Sequence, residues 1–569
     1  MVVAQAWTES SVGLTLWAQH PLPLFTYAAG RRPLSMMAAL FFFVLTAACG
    51  TRPQTTTIVP TPTSQVTPTA TNRVIATPLL PTATATADGG TDADVSAPQA
   101  TVATATPDAP AAASADTRQG AGSAVESAPA LAPVGTVVFY EESVTLPTYP
   151  LERYQSDAVD PRYNWPYKRF DVERFRLEAP TPEPRTYRLL VLENAYLKVM
   201  IMPELGGRIW QVIHKPSGEP IFYQNSVVKP THWGHENQLG WLALGGLEWS
   251  LPVIEHGYDW GVPWGYIPLP YSEDLAAVSV FTPRDGRLLN ASITISLRAG
   301  AASFEIEPTI TNLGDDALDF SFWHDAMLAP GTGLHPSADL HFVLPSGMMT
   351  LHSTADVAMP APGATFTWPI YKGRDLSRLG NYQEYLGFFE APAAHGPFVG
   401  VYDPAYDIGV ARIFPAEVVR GSKVFALGWQ DALTGDNYTD GAAMYVELHG
   451  GLAPTFADLY TLPAGGQVNW REVWYPVQGI GDLTFANELA ALAVTPQTAG
   501  LAVGLYPTRP LDGSLVLFVN DVEAARLPIQ AQPDSPFHGH FAVTVAKTDT
   551  LQIQLQDSRG RVLLSYQPE

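Results

Sequence analysis

The sequence predicts an all-β protein, on three observations. Apolar residues alternate with period two through most of the chain after Phe139, turn residues interrupt that alternation at short intervals, and sustained helical periodicity is nearly absent. At 569 residues the chain is too long for one ordinary core, so more than one folded unit is expected.

The elements follow in order. From Thr186 the text runs "TYRLLVLEN", "AYLKVMIMPE" and "GGRIWQVIHKPSGEPIFY", broken at Glu193-Asn194, Gly206-Gly207 and Pro216-Ser217-Gly218, as antiparallel strands with tight connections require. The same signal recurs in "ASITISLRAG", "ASFEIEPTITN", "LDFSFWHDAM", "GPFVGVYD", "IGVARIF", "SKVFALGWQ", "AAMYVELHGG" and "QVNWREVWYP". These strands predict a large double-sheet sandwich over residues 138–490. After Pro476, "GIGDLTFANELAALAVTP" reads as a short helix or turn, and residues 491–569 return to short strands, enough for a small immunoglobulin-like sandwich.

Ahead of the folded part the composition changes. Residues 50–137 lack aromatics and are dominated by Thr, Pro and Ala, so they cannot bury enough apolar surface to offset chain entropy and read as a disordered tether. Before it, Arg31 and Arg32 precede the apolar run "MMAALFFFVLTAAC", which ends at Cys49 behind Ala47 and Ala48. That run is shorter than the roughly 20 residues needed to cross a bilayer and has the layout of a secretory signal. It resembles the bacterial lipoprotein signal, which implies lipidation of Cys49 and an extracytoplasmic protein anchored to the cell membrane. Cys49 is the single cysteine, which excludes an internal disulfide. The net charge of −23 offers no basic stripe and argues against nucleic acid as a partner.

Five stretches carry residue types suited to chemistry. In "PELGGRIWQVIHK", paired glycines precede Arg208, which either meets a ligand or pairs with an acid. "THWGHENQLGW" holds His232, His235 and Glu236 at a spacing that matches no zinc signature. "FWHDAM" ends a strand with His324 and Asp325, an arrangement suited equally to proton transfer or to a structural hydrogen bond. In "AAMYVELHGG", Tyr445 and Glu447 share one face while Val446 and Leu448 share the other, so Glu447 is a buried base if its face lines a cleft. "GGLEWSLPVIEHGYDWGVPWGY" interleaves Glu248, Trp249, His256, Tyr258, Trp260 and Trp264. Aromatic faces suit the C–H surfaces of sugars and carboxylates suit their hydroxyls.

With "LENAYLKVMIMPELGGRIW", "ITNLGDDALDFSFWHDA" and "YVELHGGLAPTFADLYTLPAGGQVNWREVWYPVQG", these stretches resemble the galactose mutarotase-like superfamily of the aldose 1-epimerases. The nearest likeness is to an uncharacterised branch, a domain of unknown function often fused to tetratricopeptide repeats. The resemblance implies a β-supersandwich over residues 138–490, with Glu447 as base and His324 as acid. It also implies a sugar site built from Arg208, Glu248, Trp249, His256 and Asp325. The epimerase motif Asn-His-x-x-Phe-Asn is absent, and Trp323-His324-Asp325 stands in its place. Ring opening by Glu447 with His324 or His256 needs no cofactor or metal. Alternatives are a glycan-binding protein without catalysis and a glycosidase using Glu248 and Glu447.

Overall fold

The computed structural model describes residues 135–568 apart from Tyr271 and residues 430–437. The signal segment with Cys49 and nearly all of the tether lie outside the described residues. No described helix is long and apolar enough to cross a membrane.

Two antiparallel sheets, of twelve and nine strands among the described residues, form the main body. The centre of the larger one runs, in order across the sheet, Arg208–His214, Gly246–Ser250, Trp323–Leu328, Val446–Gly451, Gly421–Ala426 and Leu386–Glu390. The smaller one carries Ile408–Ile413 and Glu472–Gln478 side by side. Leu247, Ala326, Leu328, Val424, Val446 and Leu448 from the large sheet join Val410, Val473, Val477 and Ile306 from the small one in a single buried cluster. Each Val, Leu or Ile among them contributes about 1.5–3 kcal/mol by leaving water.

The other face of the large sheet is also covered. Trp210, Tyr223, Trp241, Trp260, Met327 and Tyr445 form a second buried cluster there. Part of this cover comes from elements that the alternation does not reveal, the hairpin Gln155–Asp160 with Trp165–Phe170 and the helix Val172–Glu178. Asp171 caps that helix by accepting from Arg174 N at 2.9 Å.

Residues beyond Leu483 form two four-stranded sheets around Leu492, Leu505, Leu515, Leu517 and Ile553. Of the helix or turn expected after Pro476, bends form at 479–481 and 488–489, and the segment otherwise carries the strands Phe485–Ala486 and Ala490–Gln497. Ala and Leu favour helix locally, but pairing of Ala490–Gln497 along Gly500–Pro507 overrides that preference. This small sandwich is bonded to the main body through Ala302 N to Thr508 O (2.8 Å) and Tyr475 OH to Asn487 O (2.7 Å). His214 Nε2 also lies 3.3 Å from Tyr506 OH.

Two buried groups make stability depend on pH with opposite signs. Burial pushes His214 down to about 4. Below about pH 6.5 the unfolded chain therefore takes up a proton that the folded one refuses, and stability falls by about 3 kcal/mol between pH 6.5 and 4. Burial pushes Glu390 up to about 7. The folded chain binds that proton more tightly, so stability falls by about 3 kcal/mol as pH rises from about 4.5 to 7. The two offset in the wild type, and variants separate them. Glu390→Gln is expected to melt higher than wild type at pH 8 and equally at pH 4.5, whereas His214→Gln should gain only below pH 6.5. Melting curves that shift in parallel at every pH would contradict both assignments.

Candidate functional site

The site is a row of polar side chains running straight across four strands. Asp325 is paired with Glu248 on one side and with His449 on the other. His449 is paired in turn with Lys423, and Glu447 lies two residues before it on the same face. Period-two geometry explains the grouping. Leu247, Ala326, Val424, Val446 and Leu448 point between the sheets, so their neighbours Glu248, Asp325, Lys423, Glu447 and His449 point the opposite way.

These groups are buried, and their contacts are short. Lys423 Nζ donates to His449 Nε2 at 2.9 Å, while Glu447 Oε2 stands 2.8 Å and Asp325 Oδ1 3.4 Å from that same nitrogen. Lys423 Nζ is 3.9 Å from Glu447 Oε2. On the other flank, Glu248 Oε1 accepts from Trp241 Nε1 and contacts His256 Nδ1, both at 2.9 Å. Asp325 Oδ2 is 3.9 Å from His256 Nδ1.

His256 is brought over the row by its backbone. Glu255, His256 and Gly257 all adopt left-handed conformations, with φ of 57°, 72° and 63°. The first two are unusual for residues with side chains and mark local strain. A Cβ on Gly257 would stand 2.3 Å from Leu251 N, so only glycine lets this turn close against the end of the Glu248 strand. Trp241 then stacks flat on the imidazole, with ring centres 3.7 Å apart. Phe456 covers the other end, its ring 5.0 Å from Lys423 Nζ and 6.2 Å from the His449 ring. His256, His352 and Phe456 are half-buried and form the rim, whereas Asp325 is 0% exposed at the floor.

Burial dominates the electrostatics. It raises Asp325 well above the ordinary carboxylate range, and the facing charges of Glu447 and Glu248 add to the effect. Burial also raises Glu447, against the pull of Lys423 and His256. It lowers His449 well below the usual histidine range, with Lys423 and His256 reinforcing it, so His449 is neutral.

Of the residues expected from the sequence, Glu447, Asp325, Glu248 and His256 come together here. Three do not take their expected places. His324 faces between the sheets, where its Nε2 is 3.1 Å from Glu472 Oε2, so it cannot act as acid opposite Glu447. Glu472 also accepts from Arg412 Nε at 2.7 Å and from Trp470 Nε1 at 2.8 Å, which makes a closed internal network. Trp249 likewise faces the inter-sheet core and donates to Gly207 O at 3.1 Å, so it does not line a sugar site. In both cases the adjacent residue, Asp325 or Glu248, takes the site face. Arg208 is fully buried and bonded to the carbonyls of Leu205, Gly245 and Trp260, and its Nη2 lies 3.0 Å from Glu248 Oε2. It anchors Glu248 and has no route to a sugar hydroxyl.

Tyr258 stacks on Tyr167, Trp260 bonds Gln238 and Trp264 bonds Asp259, so these three aromatics are packing support. His232, His235 and Glu236 form no metal-ligating group among the described residues. Sequence reasoning passed over His449, Lys423 and Trp241. His449 was within reach, because two steps from Glu447 along a strand returns to the same face.

A family profile described as "Domain of unknown function (DUF5107)" matches residues 159–462, and one described as "YphG-like protein, second domain" matches residues 485–566. Among solved structures, a TPR-domain containing protein from Parabacteroides distasonis ATCC 8503 is similar at 22% identity and a TM-score of 0.50, over 60% of this chain and 56% of that one. The chain thus spans 56% of the length of that protein. A galactose mutarotase-like protein from Clostridium acetobutylicum matches at 11% identity and a TM-score of 0.36, over 52% of this chain and 96% of its own. A galactose mutarotase related enzyme from Lactobacillus acidophilus matches at 11% identity and a TM-score of 0.35, over 51% and 97%. At 22% identity the likeness to the TPR-domain containing protein is one of fold. The unnamed family and the TPR-containing relative agree with the branch expected from the sequence.

Proposed function

Because the chain belongs to the DUF5107 family, whose description assigns no reaction, we propose a function from the site itself: the domain binds an aldose over the polar row and interconverts its anomers. The observation that carries this is the convergence of Glu447, Asp325 and His256 on one sheet face, between the rings of Trp241 and Phe456. Glu447 takes the proton of the anomeric hydroxyl, the bond from C1 to the ring oxygen breaks, and the ring oxygen receives a proton from the facing wall. His256, whose Nδ1 stands 3.9 Å from Asp325 Oδ2, is the donor we assign to that wall. Rotation about the C1–C2 bond and reclosure give the other anomer, so no atom is gained or lost. The aromatic rings take the apolar faces of the sugar.

The test is exchange spectroscopy by NMR on a panel of aldoses, comparing wild type with Glu447→Gln. Acceleration of anomer exchange that Glu447→Gln removes supports the reading. Binding of a sugar with no acceleration would leave a glycan-binding protein, and no binding of any sugar would end the reading altogether.

The cellular placement belongs to the same proposal. Cys49 carries the lipid, residues 50–137 give reach, and the folded head works outside the cytoplasmic membrane. Mass spectrometry of the mature N-terminus checks this, and a chain without acyl groups at Cys49 would contradict it.

A further inference from the structure

We propose that the polar row holds one divalent cation of the zinc or manganese type, ligated by Glu248, His256 and Asp325. The inference rests on reading this face as the sugar site. It goes further by placing an ion in that site.

Asp325 carries the argument. It is 0% exposed, yet neither of its carboxylate oxygens accepts a hydrogen bond from the described residues. Asparagine or an apolar residue would avoid that penalty, whereas a cation removes it. The surrounding charges point the same way. Among the described residues, Glu248, Asp325 and Glu447 face two fixed cations, Arg208 at 3.0 Å from Glu248 and Lys423 at 3.9 Å from Glu447.

Geometry selects the ligands. One donor atom from each of Glu248, His256 and Asp325 lies within 4.8 Å of the others. The imidazole Nδ1 is 2.9 Å from Glu248 Oε1 and 3.9 Å from Asp325 Oδ2. Ligand atoms about 2.1 Å from one ion sit roughly 3.0–3.4 Å apart, so these separations bracket a coordination shell. Asp325, Glu447 and His449 form a second group within 4.8 Å. There, however, Lys423 Nζ already stands 2.9 Å from His449 Nε2, where a cation would be. Among the described residues no ammonium stands at the first group, and its histidine and Glu248 are held by Trp241 through a stacked ring and an N–H donor. Outer partners of this kind fix ligands in metal sites.

One imidazole nitrogen with two carboxylates suits zinc or manganese, whereas calcium prefers an all-oxygen shell. An ion ligated by His256 would take over its part in ring opening, polarising the ring oxygen as a Lewis acid in place of a protonated imidazole. Coordination positions left free by these three residues would be available to sugar hydroxyls.

The experiment is calorimetric titration of the full chain, stripped by chelator, with zinc or manganese chloride and with calcium chloride as contrast. One zinc or manganese site per chain is expected, weakened at least about 10- to 100-fold in Asp325→Asn and in His256→Gln. Asp325→Asn keeps the shape and removes a buried charge, so circular dichroism should show it folded. Absence of binding up to about 1 mM would overturn the proposal, as would affinities unchanged in both variants. Anomer exchange by a stripped protein that binds no metal removes the ion and keeps the sugar reading. Metal binding as expected, without affinity for any aldose, keeps the ion and removes the sugar reading.

Discussion

Glu447→Gln is expected to slow anomer exchange by about 10²- to 10⁴-fold while the protein remains folded, the range in which general acid–base groups contribute. The amide matches the carboxylate in shape and cannot take up a proton at neutral pH. Lys423 and His449 remain beside it to hold the side chain. The companion variant is His324→Gln. Because His324 lies on the other side of the sheet, its loss should lower the melting temperature and leave the rate per folded molecule close to wild type. If His324→Gln abolished exchange in a fully folded protein while Glu447→Gln did not, the catalytic assignment would be reversed.

The second large effect lies inside the sandwich. Arg412 and Glu472 are 0% exposed and joined at 2.7 Å, with His324 on the same carboxylate. Burial alone would raise the Glu472 carboxyl, but the Arg412 guanidinium and His324 outweigh it and hold it well below the usual carboxylate range. Glu472→Gln leaves a buried guanidinium without its counter-charge and should cost about 3–5 kcal/mol, read by urea denaturation. The double variant Glu472→Gln with Arg412→Met should recover most of that loss, since an apolar replacement removes the orphaned charge. A double variant as unstable as the single one would mean that the pair matters through packing and not through charge.

The alternation of the strands was legible, as was the grouping of Tyr445 and Glu447 on one face and of Val446 and Leu448 on the other, although not which of the two faces carries the site. The site strands themselves were harder to read. Trp323–Leu328 and Val446–Gly451 are buried at every position, since an apolar cover lies on each side of the large sheet. Where both faces are dry, hydrophobicity no longer tells in from out. That is why His324 and Asp325, and likewise Glu248 and Trp249, could not be sorted by parity alone. Lys423 was invisible for another reason. Its neighbour His449 is 26 residues away, and no local pattern announces a cross-strand partner at that separation. The left-handed turn at Glu255 and His256 was equally hidden, because its sequence contains only one glycine to suggest it.

The neighbouring pair His324 and Asp325 also bears on how the chain folds. A strand paired one residue out of register would turn Asp325 inward against the Glu472 carboxylate and push His324 out among Glu248 and Glu447. Gly450 tightens the constraint, since a Cβ there would stand 2.0 Å from Arg412 Nη2 and 2.4 Å from His324 Nε2. The dipeptide thus acts as a lock on strand alignment, penalising a slip on both faces of the sheet at once. Single-residue insertions between Trp323 and Leu328 should therefore block folding, although nothing in that strand needs to touch a ligand for this to happen.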